Sequence, residues 1–139
     1  MKKILPKAIL GGALGTVVLS LMGKFVAPIM IGQPMDVPSL IAGSLNAPFI
    51  VGVVAHFATG AIVFPIAYLL TVYRWVPAPA PVRGILFGIL AYLGAMLVMI
   101  PALGQGLFFG NAPKALVALV VHIVFGAILG VVTGSPKRD

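Results

Sequence analysis

Three ionisable side chains of this 139-residue chain, Lys24, His56 and His122, lie inside long apolar stretches. Hydrocarbon disfavours such groups unless they have partners, so their presence there is by default a hypothesis of function. Neutral imidazoles ligate haem iron or other metals, whereas an ammonium group or a protonated imidazole holds an anion or relays protons. We therefore take these three residues as the candidate ligand-binding residues.

The stretches around them predict an integral membrane protein. The chain is 61% hydrophobic and 8% charged, whereas soluble domains carry about 25% charged residues. About 20 apolar residues cross roughly 30 Å of hydrocarbon, and no barrel-like alternation is visible, so each long stretch is predicted to be a helix. We expect an all-α four-helix bundle, a single transmembrane domain over residues 1–139, with spans at about 8–31, 49–73, 84–103 and 115–134.

Basic residues predict the orientation of the bundle, because short loops rich in Lys and Arg stay in the cytoplasm. Of those outside the spans, only Lys114 falls clearly in a loop on the opposite side. The others share one side: Lys2, Lys3, Lys7, Arg74, Arg83, Lys137 and Arg138. Both termini are therefore predicted to be cytoplasmic. The Pro-alternating segment 74–83 on that side favours an extended connection.

The loop between the first two spans is too short to cross the membrane but carries signals for a short helix. Asp36 or Val37 before Pro38 is typical of a helix start, and Asn46 is typical of a helix end. We expect a short interfacial helix near 38–45.

The three candidate residues are predicted to share one depth. Each lies about seven residues from the outer end of its span, which at 1.5 Å per residue is roughly 10 Å below the boundary. Helical spacing also puts each histidine on a stripe of small residues, which allow close helix approach. The predicted packing glycines are Gly52 and Gly60 beside His56, and Gly126 and Gly130 beside His122.

Two segments around the histidines predict an internal repeat. Residues 54–62 in the second span and 120–128 in the fourth both carry a histidine followed four residues later by a glycine. The chain would then consist of two tandem helix hairpins related by an axis along the membrane normal. Chance is the alternative, because matches among Gly, Ala, Ile and Val are frequent in apolar spans.

Several kinds of site fit these residue types. In the simplest, neutral His56 and His122 hydrogen-bond neighbouring groups while Lys24 extends to the membrane surface. In a second, the two imidazoles face each other and ligate a b-type haem. In a third, Lys24 and the histidines hold an anion, a quinone carbonyl or a lipid headgroup, or relay protons. A zinc or copper site is disfavoured, since two histidines supply half of a tetrahedral shell.

Composition narrows the function further. Two Asp, no Glu and no Cys exclude paired-carboxylate enzymes, disulfides and thiol chemistry. The cations interrupt apolar runs instead of sharing a solvated face with aromatics, which argues against nucleic-acid binding. We expect a non-enzymatic accessory or scaffold subunit, without a cofactor, that contacts the lipid bilayer and either other membrane subunits or copies of itself. The alternatives are a small haem- or quinone-binding protein using His56 and His122, and a small oligomeric transporter or channel.

The order of these features resembles that of small uncharacterised bacterial four-span proteins, grouped only as a domain of unknown function. The resemblance covers most of the chain. It rests on the Gly-Gln-Pro-Met-Asp segment 32–36 after a Gly-rich first span, His56-x3-Gly60, Arg83-Gly84 and His122-x3-Gly126. It implies a compact multi-pass bundle in the bacterial inner membrane and no established reaction.

Overall fold

The computed structural model describes residues 2–136, which are all-α and contain no strand. Within them the helices are, in chain order, Leu5–Ile31 (α1), Val37–Ser44 (α2), Phe49–Trp75 (α3), Ala80–Ala102 (α4) and Ala112–Thr133 (α5), with a 3₁₀ turn at Leu107–Gly110. All except α2 and the 3₁₀ turn are long and apolar enough to cross a membrane. The predicted all-α four-helix fold, with its short helix near 38–45, is confirmed. Lys137 and Arg138 lie outside the described residues.

The connection between α3 and α4 is shorter than the sequence predicts. Helix α3 continues to Trp75, past one non-helical residue at Thr71, and α4 begins at Ala80. The extended segment predicted over 74–83 is therefore wrong, and only 76–79 of it is non-helical. The reason is Pro81, which occupies the first turn of α4. An N–H at that position would have no partner within the helix, so proline is tolerated there.

The four long helices pack in the order α3, α1, α5, α4, with α1 and α5 at the centre. Glycines permit the closest approaches. A Cβ added to Gly84 of α4 would lie 2.8 Å from the Gly130 backbone of α5, and one added to Gly12 of α1 would contact the Gly60 carbonyl of α3. We call the end of the bundle where α1 and α4 begin the termini end, and the end that carries α2 the loop end.

Three of these helices contain a π-helical turn, and a proline follows each turn by two residues. The pairs are Met22–Val26 with Pro28, Thr59–Val63 with Pro65, and Ala95–Met99 with Pro101. The residue before each proline donates its N–H to the carbonyl five residues back. Because proline has no N–H and clashes with the carbonyl four residues before it, this wider turn lets the helix continue through the proline. Helix α5 has its proline in the first turn and no π turn.

The proline of α1 also leaves a carbonyl free for the loop that follows. The Gly23 oxygen, five residues before Pro28, accepts a hydrogen bond from the Met35 N–H at 2.9 Å. The next residue, Asp36, caps α2, because its carboxylate accepts from the Ser39 N–H at 3.0 Å and from the Ser39 hydroxyl at 2.6 Å. The loop is thereby held against the last turns of α1, where it forms one wall of a cavity.

Candidate functional site

His56 links α3 to α1. Its Nε2 lies 3.2 Å from the Ser20 Oγ, and that hydroxyl donates its own proton to the Thr16 carbonyl at 2.8 Å. The hydroxyl has one proton, so in a neutral imidazole Nε2 must be the donor and Nδ1 the free acceptor. The sequence predicts that this imidazole bonds a neighbouring group, and in the structure the Ser20 hydroxyl lies within hydrogen-bond distance of it.

His122 is bound within its own helix. Its Nδ1 donates to the Ala118 carbonyl at 2.7 Å, which leaves Nε2 as the acceptor of a neutral ring. The ring packs against Tyr92 of α4 with centroids 5.8 Å apart and an interplanar angle of 67°. His122 thus contacts α4 by packing its ring against Tyr92, and its hydrogen bond stays within α5.

The two imidazoles line one small space of about 70 Å³, together with Thr59, Phe64 and Phe125. Water occupies about 30 Å³ per molecule in the liquid, so this space holds about two waters at most. A haem between His56 and His122 would require α3 and α5 to move apart. Haem ligation by these residues therefore stays a prediction that the packing does not favour.

Lys24 and His56 share a different and larger cavity, of about 450 Å³, at the loop end between α1, α3 and the start of α2. Lys24 itself is exposed, and its Nζ lies 5.5 Å from the centroid of the Phe25 ring. Asp36 contributes a carboxylate to the same cavity, which His122 does not line. In the structure, Lys24 and His56 line one cavity, and His56 and His122 line another. Neither of these two cavities is lined by all three residues.

The walls of the 450 Å³ cavity are mainly apolar. Leucine, valine, phenylalanine and proline side chains surround four polar groups, which are those of Ser20, Lys24, Asp36 and His56. A mostly apolar cavity with a few placed polar groups is typical of a site for an amphiphilic small molecule, and sites of this kind span about 300–1,000 Å³. The sequence indicates Asp36 only as the start of a short helix. Its place in this wall follows from the Gly23–Met35 hydrogen bond.

The four predicted packing glycines lie against different elements. Gly60 faces Thr16 of α1, while Gly126 and Gly130 face Gly84 of α4. Gly52 differs, because a Cβ there would contact the Pro38 carbonyl of the short helix α2. Close approach at Gly52 therefore seats α2 against α3.

Arg83 has an environment that sequence reasoning missed. The sequence predicts a cation in a loop at this position, but Arg83 is 2% exposed and lies on the same stripe of α4 as the buried Phe87 and Ala91. Once α4 is known to begin at Ala80, the four-residue spacing from Arg83 to Phe87 and Ala91 is the signal that reveals its burial.

Residues 1–138 match a family described as a family of unknown function, DUF6789. The chain belongs to DUF6789. No curated protein and no solved structure matches it. The resemblance to a domain of unknown function is thereby confirmed, and DUF6789 membership assigns no reaction. The four long apolar helices of this chain fit a multi-pass membrane protein.

Proposed function

We propose that this DUF6789 protein is a non-enzymatic accessory or scaffold subunit of a larger complex in a bacterial inner membrane, with both termini cytoplasmic. The observation that carries the proposal is the small size of everything outside the long helices. Among residues 2–136, the longest segment between them runs from 32 to 48, and about half of it is the short helix α2. Faces of the long helices are therefore the main surface available to a partner.

Helix α4 offers a suitable face. Leu86, Leu90, Leu93 and Leu97 are all exposed and follow one another at intervals of four, three and four residues. This spacing is that of a coiled-coil seam, in which leucines of one helix pack between those of another. The stripe lies at the flank of the bundle, because α4 has α5 on one side and only limited contact with α3.

Purification from native membranes in a mild detergent tests the proposal. We expect a larger membrane protein to co-purify in a fixed ratio, and recovery of only a monomer or a self-oligomer would contradict the proposal. The double variant Leu90→Trp and Leu93→Trp should release the partner. Val54→Trp on the exposed face of α3 is the matched control and should retain it.

A second candidate function is the binding of an amphiphile with a carbonyl or anionic headgroup, such as a quinone, in the 450 Å³ cavity. It is favoured by the presence of both Lys24 and His56 in the lining of this mainly apolar cavity. The Lys24 ammonium, or the Nδ1–H of a protonated His56, can donate to such a headgroup. A short-chain quinone titrated into purified protein should bind saturably, and Lys24→Met and His56→Ala should each weaken binding about ten-fold or more. Lys114→Met, at the same end but outside this cavity, is the control.

The same preparation separates two further alternatives. A haem protein shows a Soret band that is lost in His122→Ala as well as in His56→Ala. If the protein is an oligomeric transporter, liposomes that contain the Lys24→Met variant should show less solute flux than liposomes that contain the parent protein. Quinone binding without a Soret band and without flux supports the amphiphile site, whereas absence of saturable quinone binding rejects it.

We also propose that the two hairpins, α1–α3 and α4–α5, are copies of one ancestral unit. Supporting this, the glycine four residues after each histidine, Gly60 or Gly126, packs on the first long helix of its own hairpin. Their partners are Gly12 with Thr16 in one hairpin and Gly84 with Gly88 in the other, the same four residues apart. A permuted chain that starts at Pro77 and joins residue 136 to residue 2 by a flexible linker should fold with an unchanged thermal midpoint. If the permuted chain fails to fold, the proposal that the two hairpins are copies of one unit is contradicted.

A further inference from the structure

A cavity of about 710 Å³ opens at the termini end of the bundle. Its walls are the end of α3 and the connection that follows it, the first turn of α4, and the residues just after α5. Two arginines, Arg74 and Arg83, line it together with the aromatic side chains of Tyr73 and Trp75. It lies at the other end of the molecule from the Lys24–His56 cavity and shares no residue with it.

Arg83 is buried but incompletely satisfied. Its Nη1 donates to the Tyr73 carbonyl at 3.2 Å, and its Cζ lies 5.2 Å from the centroid of the Tyr73 ring. Its Nε and Nη2 have no hydrogen-bond partner within residues 2–136. A buried charge left without partners is costly, because water has been removed and no acceptor has replaced it.

The charge at this cavity is positive. Arginine is charged at any physiological pH, and Arg74 adds a second, exposed guanidinium to the same wall. Of the chain's two acidic residues, Asp36 lies in the loop-end cavity and Asp139 lies outside the described residues. The walls therefore offer two cations and unused N–H donors to a bound group.

We propose that this cavity binds a phosphate group, held by Arg83 and Arg74. The planar guanidinium presents parallel N–H donors that match two oxygens of a phosphate, which is why arginine is the common ligand for this group. The source is either the headgroup of an anionic phospholipid or a soluble phosphate. Trp75 is 78% exposed beside the cavity, and tryptophan at the end of a membrane helix marks the level of the headgroups.

The single tryptophan of the chain, Trp75, gives a direct measurement, because it lines the cavity. Full-length protein is purified in a maltoside detergent, which contains no phosphate. Inorganic phosphate, short-chain phosphatidylglycerol and an uncharged short-chain diacylglycerol are titrated separately while Trp75 fluorescence and the thermal midpoint are followed. We expect a saturable fluorescence change and a raised midpoint with at least one phosphate compound and neither with diacylglycerol. A response to phosphatidylglycerol alone identifies the lipid headgroup, and a response to inorganic phosphate alone identifies the soluble anion.

Variants tie the response to the arginines. Arg83→Gln should weaken binding about ten-fold or more and Arg74→Gln by a smaller factor, because each removes charge-assisted hydrogen bonds. Lys114→Gln, which removes a cation at the loop end, is the matched control and should bind as the parent does. If Arg83→Gln fails to fold by helical circular dichroism, Arg83→Lys replaces it, since it keeps the charge and loses the paired donors.

Two results would overturn the proposal. One is that neither phosphate compound gives a saturable change in Trp75 fluorescence or in the thermal midpoint. The other is unchanged affinity in folded Arg83 and Arg74 variants, which would place the anion elsewhere. Both are independent of the subunit and quinone proposals, because the assay uses purified protein without a partner and a cavity at the other end of the bundle.

Discussion

Helices α4 and α5 pack closely because glycine has no Cβ. The glycines at this contact are Gly84, Gly126 and Gly130. A Cβ on Gly84 would meet the Gly126 carbonyl and the Gly130 backbone, and one on Gly126 would meet the Gly88 Cα at 2.9 Å. These neighbours are backbone atoms, so no side-chain rotation can relieve the contact. In a membrane, where lipid and side chains are equally apolar, such close approach is a main source of helix association.

The first prediction compares two glycines. Gly126→Ala should destabilise the bundle by about 1–3 kcal/mol, because overpacking separates α4 from α5. Gly94→Ala should be neutral or stabilising by up to about 1 kcal/mol, since nothing lies within 4 Å of a Cβ there and alanine favours helix. Thermal or denaturant unfolding in one detergent measures both. Equal effects at the two positions would contradict backbone contact as the cause.

The second prediction concerns the one hydrogen bond that joins a histidine to another helix. A double-mutant cycle of Ser20→Ala and His56→Ala should give a coupling of about 0.5–1 kcal/mol, the usual size for such bonds within membranes. The parallel cycle of Ser20→Ala and His122→Ala should be additive, because His122 bonds Ala118 of its own helix. Coupling in the second cycle but not the first would contradict the assigned hydrogen bonds.

The site was partly predictable at this scale. Residue type alone singled out Lys24, His56 and His122, because ionisable groups in apolar stretches are rare. The depth of each of these residues in the membrane could also be estimated from its distance along the chain to the end of its span. The rotation of each helix about its own axis could not be estimated in this way. That rotation puts His122 against Tyr92 and away from Lys24. The burial of Arg83 was missed for another reason, since it depended on where α4 begins.

At the scale of elements, proline and the π turn explain how three long helices stay continuous. Each proline removes a donor, and the wider turn before it satisfies the preceding amide five residues back. The positions of the prolines were visible in the sequence, but the compensating turns were not, because their stability depends on packing. In α1 the freed Gly23 carbonyl is used by Met35, which fixes the loop and one wall of the Lys24–His56 cavity.

A third prediction follows for this element. Pro28→Ala restores an N–H in α1, so the Gly23 carbonyl gains a donor within its helix and the Met35 amide loses its acceptor. Hydrogen exchange at Met35 should speed up roughly two- to ten-fold, the equivalent of a net 0.5–1.5 kcal/mol hydrogen bond. Pro113→Ala is the control, since its proline lies in the first turn of α5, where the restored N–H has no partner. If hydrogen exchange at Met35 is unchanged in Pro28→Ala, the hydrogen bond from Met35 to the Gly23 carbonyl does not depend on Pro28.

For the whole molecule, the number and length of the long helices followed from composition, but their order in space did not. Apolar stretches long enough to cross a membrane are counted directly from the sequence. Packing as α3, α1, α5, α4 depends on which small residues face each other, and seventeen glycines allow many pairings. The structure selects Gly12 with Gly60 and Gly84 with Gly126.

The last prediction concerns orientation. The excess of basic residues at the termini end predicts that this end faces the cytoplasm. The chain has no cysteine, so single substitutions report without background: Gln105→Cys is exposed at the loop end and Ser135→Cys at the termini end. In intact cells, or in spheroplasts where an outer membrane is present, a membrane-impermeant maleimide should label Gln105→Cys at once and Ser135→Cys only after permeabilisation. The reverse order would place Lys24 and His56 near the cytoplasm and Arg83 on the far side, and labelling of both sites from outside would contradict the four-span topology itself.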